Sequence, residues 1–385
     1  MKFVFASDSF KGSLSGKEAN RMLERAAKEV FGEVECISLP VADGGEGTAD
    51  ALIEATDGER IYAEVHDPCM KPISAYYGKL NEKCAIIEMA AASGLTLIPP
   101  EKRNPLYTTS FGTGELILDA LEKGFEDIYI AIGGSATSDG GMGCARALGA
   151  RFLDPAGCEL EGTGRDLERV DRIDVTGLDG RLQKCRITVM CDVTNPLCGK
   201  EGAVYTFAPQ KGATAEMQEV LEKGMCNYRE VLRKQFGTDP DEIPGAGAAG
   251  GLGAALMLFM KGRMRSGINT VLDLIGFEEV LKEADLVVTG EGRTDHQSSY
   301  GKALFGIGER AKAMGVPAVA LSGSIGSGAS AIYDHGIRSI LTTVSEPMLL
   351  TEAMSRSREL YYYAALRLFR LIKTGMDIQN SKSEI

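Results

Sequence analysis

The sequence predicts a doubly wound α/β fold: one discontinuous domain built on a parallel sheet, with a second α/β domain inserted into it. Three observations carry this. Strand-like runs alternate with amphipathic helical segments at both ends of the chain, the pattern of a parallel sheet covered by helices. Between residues 61 and 89 the rhythm changes to strand-like runs joined by short polar turns, the pattern of antiparallel strands. The length, 385 residues, suits two domains at roughly 150 residues each. The expected division is 1–66 with 282–385 for the discontinuous domain and 67–281 for the insert, and segment 111–149 fits either.

The elements follow in order. Lys2 to Ala6 is a short β-rich run. A helix begins at Ser15, where Glu18 three residues later completes a capping box. Ala19, Met22, Leu23, Ala26, Ala27 and Val30 recur at helical spacing, and Gly32 ends the helix. Val34–Leu39 is the next strand, so a strand–helix–strand unit opens the chain. Runs near Ile61–Val65, Ile73–Leu80 and Cys84–Met89 read as antiparallel strands. Helix Gly114–Glu122 leads to strand Ile128–Ile132 and a glycine-rich loop, and a helix from Gly141 to Leu148 follows. Further on come strand Arg186–Cys191, a long amphipathic helix Met217–Phe236, and a Gly/Ala run opening helix Ala254–Met260. The α/β alternation then becomes regular, with strands Leu286–Thr289, Val316–Leu321 and Ser339–Thr343. A terminal helix is expected from Met354 to Ile372, with a polar stretch after Thr374 that frays.

Composition narrows the function classes. Hydrophobic residues make up 44% and charged residues 25%, so the chain can bury full cores. The net charge is −12 with no Lys/Arg stripe, which argues against nucleic-acid or anionic-membrane partners. An acidic protein can still bind an anion through helix N-termini, backbone amides and a few placed cations. The nine cysteines form no C-x-x-C pair and read as reduced, buried thiols. A catalytic cysteine would want a histidine partner, and only His66, His296 and His335 exist. There is no signal-peptide core and no apolar run of about 18 residues, so a cytoplasmic protein is expected.

Six loops could carry chemistry. Gly133-Gly134-Ser135-Ala136-Thr137-Ser138-Asp139-Gly140-Gly141 lies between a strand and a helix. Its glycines let backbone amides approach a ligand, its hydroxyls add donors, and a helix N-terminus follows, all suited to phosphate or carboxylate. An ordinary tight turn is the plainer reading. Gly245 to Ala255 contains G-x-G-x-x-G as Gly245, Gly247 and Gly250, with Gly251 beside it, but lacks the G-K-[ST] of a P-loop. Close helix packing through small residues explains it equally. Asp8, Ser9 and Lys11 follow the first strand, at the sheet edge where doubly wound folds bind ligands. Asp43 and Glu46 sit among glycines after the second strand and could hold Mg2+ or substrate hydroxyls. Asp192 and Asn195 end strand 186–191. Glu291, Arg293 and Asp295 end strand 286–289, and His296 beside them reads as solvent-exposed. Five strand ends thus pair glycine with acids or cations. Phosphoryl transfer needs that inventory: cations for developing charge, carboxylates for Mg2+, and a base near the attacking hydroxyl.

At these residues the sequence resembles the type-1 glycerate kinase family along nearly the whole chain. The resemblance rests on seven ordered segments: SDSFKGSLS (7–15), PVADGGEGTAD (40–50), IGGSATSDGGMGCARALGA (132–150), DVTNPLCG (192–199), FAPQKGA (207–213), GAGAAGGLGAAL (245–256) and TGEGRTDHQSSYGK (289–302). It implies a Rossmann/flavodoxin-like doubly wound domain plus an inserted α/β domain, with the site in the cleft between them. The activity it implies is ATP- and Mg2+-dependent phosphorylation of D-glycerate, most often at the 2-hydroxyl. Ser138 stands where the family commonly has Asn, and Ser298 where Thr is usual.

The mechanism expected from both lines has Lys11, Arg293 and backbone amides near Ser9 holding the carboxylate of glycerate. Asp8, Asp43, Glu46 and Asn195 complete the substrate contacts. Asp192 or Asp295 takes the hydroxyl proton, the other helps position Mg2+, and Glu291 is a further metal ligand. Gly133, Gly134, Ser135, Thr137 and Gly140, with Gly247, Gly250 and Gly251, cradle the ATP phosphates. The expected partners are D-glycerate and ATP, with no nucleic acid and no membrane, in a monomer or homodimer. Three alternatives stand: a 3-phosphoglycerate product, a dinucleotide-dependent oxidoreductase, and a non-catalytic sensor of organic acids. The oxidoreductase is disfavoured because no strand–G-x-G-x-x-G–helix is followed by an acid about 20 residues on.

Overall fold

The computed structural model describes residues 1–299 and 301–383. Its strands, in chain order, are β1 (Lys2–Ser7), β2 (Glu35–Ser38), β3 (Glu59–His66), β4 (Pro72–Lys79), β5 (Cys84–Glu88), β6 (Asp127–Ala131), β7 (Arg151–Leu153), β8 (Arg172–Asp174), β9 (Arg186–Met190), β10 (Arg263–Arg265), β11 (Leu286–Gly290), β12 (Arg293–Thr294), β13 (Ala318–Ser322), β14 (Ser324–Ile325) and β15 (Ile337–Thr342). The chain divides into two compact units, Met1–Asp43 with Ile268–Ile385, and Gly44–Gly267.

The first unit is built on a sheet of order β15-β13-β11-β1-β2 with every pairing parallel. Counted within the unit, that is the 2-1-3-4-5 order of flavodoxin-like folds. Alternation along each strand sends side chains to two separate cores. Phe3, Phe5, Leu286, Val288 and Leu321 face one, with Leu23 of helix Gly16–Phe31 and Phe369 of helix Ser357–Ser383. Val4, Ala6, Val287, Ala318 and Ala320 face the other, with Ile268, Phe277 and Ile307 from the helices on that side. Burial on both faces explains why these strands read as continuous apolar runs. The first helix starts as its sequence dictates: the Ser15 side chain accepts from Glu18 N, Glu18 accepts from Ser15 N, and Gly32 (φ 75°) ends it.

The second unit carries a six-stranded sheet of order β10-β9-β6-β5-β4-β3. The β3–β4 and β4–β5 pairs are antiparallel and the remaining pairs parallel. Its core gathers Ile87, Ile128 and Val189 from the sheet with Leu116, Tyr228 and Leu256 from the helices. The long helix runs Ala215–Phe236, capped by Thr214 and by Gly237 at φ 72°.

Three expectations shift. The divisions fall at 43/44 and 267/268, where 66/67 and 281/282 were expected. On the early side, β3 pairs with β4 over its whole length, and this holds it in the second unit. On the late side, Ile268, Leu272, Phe277 and Leu281 bury their side chains in the first unit's core. Segment 111–149 lies in the second unit. The terminal helix continues to Ser383, past the Ile372 end and through the stretch expected to fray. Among the described residues, no helix is long and apolar enough to cross a membrane.

Candidate active site

In a parallel sheet of 2-1-3-4-5 order the connections leave β1 and β11 in opposite directions, opening a crevice beyond their carboxyl ends. A cavity of ≈ 540 Å³ lies in the first unit, lined by the loops that follow these two strands. Asp8, Ser9, Lys11, Asp43, Glu291 and Arg293, six residues singled out from the sequence, all line it. Lys302, at the start of helix Ala303–Ala313, lines it as well.

The carboxylates here are tuned by burial and by one another. Asp8 is pushed from the usual 3.8 up to about 7, chiefly by burial, then by the charge of Asp43, with Glu291 adding to it. Ser9 N donates to Asp8 Oδ1 at 2.6 Å and, like Lys11, opposes that rise. The Ser9 amide, within the group of backbone amides near Ser9 expected to hold substrate, thus donates to its neighbour Asp8 here. Glu291 is buried, which raises its pKa, against hydroxyls from Ser298 and Thr294 that donate to Oε1 and favour the charged form. A threonine at position 298 could make the same bond, so the serine there preserves the contact. Arg293 is exposed and its Nε lies 3.3 Å from Asp295 Oδ2. Asp295 also accepts from Gln297 N at 3.0 Å and is not among the residues lining the cavity. His296 is exposed.

The other sequence candidates lie in the second unit. Glu46 is exposed. Asp192 is exposed, with Gly267 N donating to its Oδ1 at 3.0 Å. Asn195 turns inward to its own loop, its Nδ2 donating to Glu201 O at 2.7 Å. Gly133 is half-buried, a built Cβ there meeting Gly45 Cα at 3.0 Å, and Gly134 is exposed at φ 75°. Ser135 and Thr137 are buried. The two glycine-rich loops pack on each other: Gly140 N donates to Gly250 O at 3.0 Å, and a Cβ on Gly251 would meet Gly140 Cα at 2.7 Å. At Gly250, φ is 68° and a Cβ would fall 2.0 Å from Thr137 O; at Gly247 it would fall 2.0 Å from Pro196 O. Close backbone approach is thus one use of these glycines, where the sequence offered a tight turn for the first loop and helix packing for the second as the plainer explanations.

Sequence reasoning quoted Asp139 and Lys211 within its segments but gave neither a role in holding the 133–141 loop. Asp139 is fully buried and accepts from Ser110 N and Oγ, Gly141 N and Gly143 N. Lys211 is 1% exposed, and its Nζ donates to Thr137 O at 2.5 Å. Burial lowers its pKa from 10.5 to about 7, against the pull of Asp139. The Ser138 hydroxyl is buried with no hydrogen-bond partner among the described residues. Full burial of a Lys and an Asp is rare, and burial set by a contact across 74 positions leaves no local sequence signal. Among the described residues, the group of three with metal-ligand spacing is Cys198, Glu222 and Cys226, with ligand atoms within 4.8 Å of one another. Two thiols suit a softer ion than Mg2+. Of the nine cysteines, Cys84, Cys144 and Cys198 are buried, while Cys69 and Cys158 are exposed, so the expectation of buried thiols holds only in part.

A flavodoxin-ordered sheet with cations and tuned carboxylates at its switch point defines an α/β protein of the class that binds small anionic ligands beyond its strand ends. Comparison with known proteins narrows this. The glycerate kinase family model matches residues 3–373. The glycerate kinase of Bacillus subtilis (strain 168) is 46% identical over 360 residues, 93% of this chain and 94% of that one. The glycerate 2-kinase of Escherichia coli (strain K12) is 44% identical over 377 residues, 98% of this chain and 99% of that one. A crystal structure of a candidate glycerate kinase 2 from Salmonella typhimurium LT2 superposes with a TM-score of 0.87 at 43% identity, covering 98% of this chain and 99% of that one. The chain belongs to the glycerate kinase family.

Proposed function

We propose that this protein transfers the terminal phosphoryl group of ATP to the 2-hydroxyl of D-glycerate. The observation that carries the reading is the cavity beyond β1 and β11, which brings Lys11 and Arg293 together with Asp8, Asp43 and Glu291. The named relatives support glycerate as the acceptor, and the name of the Escherichia coli relative supports the 2-position.

In this reading Lys11 and Arg293 bind the carboxylate of glycerate, as point charge and planar fork respectively. The base near the hydroxyl was expected to be Asp192 or Asp295. Asp295 already holds Arg293 and an amide, a positioning arrangement. Asp8 is the cavity carboxyl whose affinity for a proton lies near neutral pH, where a general base works best. We therefore assign the base to Asp8 and keep Asp192→Asn as the control on the earlier candidate. Asp43 and Glu291 supply oxygen donors of the kind that suit Mg2+, and Mg2+ on a nucleotide needs only one or two carboxylates from the protein. When bound, it would neutralise charge on the phosphates.

The test is phosphorus NMR of the product formed from ATP, Mg2+ and D-glycerate, with ADP release measured in parallel. A 2-phosphoglycerate signal matched to ADP is expected. A 3-phosphoglycerate signal would move the attack to the terminal hydroxyl, and no glycerate-dependent ADP would sink the kinase reading.

A further inference from the structure

The polar half of the first unit's cavity leaves much of it unexplained. A three-carbon hydroxy acid is polar on every face and small against ≈ 540 Å³. Much of the remaining wall is apolar, with Leu14, Val344, Met348, Leu350, Ala353 and Met354 interleaved with hydroxyls such as Thr343 and Ser357. Leu350 is 74% exposed, an apolar side chain left uncovered beside a cavity. Lys302 lines the same cavity and has no role in the glycerate contacts above. The volume falls in the roughly 300–1,000 Å³ range of cofactor sites, which pair apolar walls with a few placed polar groups.

We infer that this cavity is the nucleotide site, with the purine base of ATP against Met348, Leu350 and Met354 and the polyphosphate directed to Lys302 and the Lys11 end. The inference rests on the kinase reading for its choice of a nucleoside triphosphate. Methionine walls accept flat aromatic rings because the thioether is polarizable and adaptable. The topology agrees, since nucleotides in doubly wound sheets bind at the switch point, here between β1 and β11. Among the carboxylates, Glu291 is already compensated by two hydroxyls and by the charge of Lys302, which limits its repulsion of a polyphosphate. The inference relocates ATP from the two glycine-rich loops, where Gly140, Gly247, Gly250 and Gly251 face protein backbone or a tyrosine ring at contact distance.

The experiment is photolabelling of the full-length protein with 2-azido-ATP, with and without excess ATP, followed by peptide mapping. Label within residues 343–361, suppressed by ATP, is expected. Label in 133–141 or 245–253, or label that ATP does not suppress, overturns the site. In a second measurement, Met354→Glu and Lys302→Ala should each weaken binding of the fluorescent analogue TNP-ATP about tenfold or more. Unchanged TNP-ATP affinity in both folded variants also overturns the site. Labelling needs no turnover, so the two readings separate. Specific label in 343–361 without glycerate phosphorylation would sink the function and keep the site.

Discussion

Asp8 is the residue on which the chemistry can be probed most directly. Its folded pKa, about 7, lies above the ordinary 3.8. Between those values the folded chain binds more protons than the unfolded one, so on this account stability falls as pH rises from about 4 to 7 and is level above. Asp8→Asn should flatten that part of the stability-versus-pH curve, measured by denaturant melts at several pH values. If Asp8 is the base, kcat/KM of the parent rises through about pH 7, and the variant loses roughly 10²–10⁴ in kcat above that pH, the deficit shrinking below it. A variant with a parental pH profile would return the role to Asp192 or Asp295. Lys11→Ala should raise the KM for glycerate about tenfold or more with a smaller change for ATP, because a lost carboxylate contact acts on the ligand that carries it.

At the scale of elements, the loop from Gly133 to Gly141 is held from below. Asp139 accepts four hydrogen bonds in the interior, and its removal would strand those donors beside buried Lys211. Asp139→Ala should cost about 3–5 kcal/mol, read from a urea melt. A loss under about 1 kcal/mol would show that the loop does not depend on this anchor. Gly250→Ala tests the packing account of the second glycine-rich run, since any Cβ there meets Thr137 O and the backbone sits at φ 68°. It should destabilise by at least ~1 kcal/mol. The same backbone contact explains why a sequence reader sees a nucleotide loop. Glycine serves close approach of any partner, and composition cannot distinguish a phosphate from a neighbouring carbonyl.

For the whole molecule, the two units differ in what they need from the chain. Gly44–Gly267 is continuous and has its own sheet and core. Expressed alone it should melt cooperatively by circular dichroism, as a unit with a complete core can. Residues 268–385 alone should not, because β1, contributed by the N-terminal segment, supplies the strand between β11 and β2 and buries Phe3 and Phe5 under Phe369. A cooperative transition in the C-terminal fragment would contradict this.

Read alone, the sequence determined what depends on local spacing. The capping box at Ser15, the helical stripe from Ala19 to Ala27, the antiparallel run through β3, β4 and β5, and the acids, cations and glycines at five strand ends are all properties of neighbouring residues. It also carried enough family-specific segments to indicate a glycerate kinase. Tertiary structure decided the rest. Strand order set β1 beside β11 and so gathered Lys11, Asp43, Glu291 and Lys302, residues far apart in the chain, around one cavity. It left Asp295 outside that lining, turned two glycine-rich runs against each other, and placed Lys211 under a loop 74 positions away. The physical reason is that periodicity and capping act over a few residues. Which strand ends converge, and which buried charge meets which carbonyl, is settled only when distant segments compete for the same core.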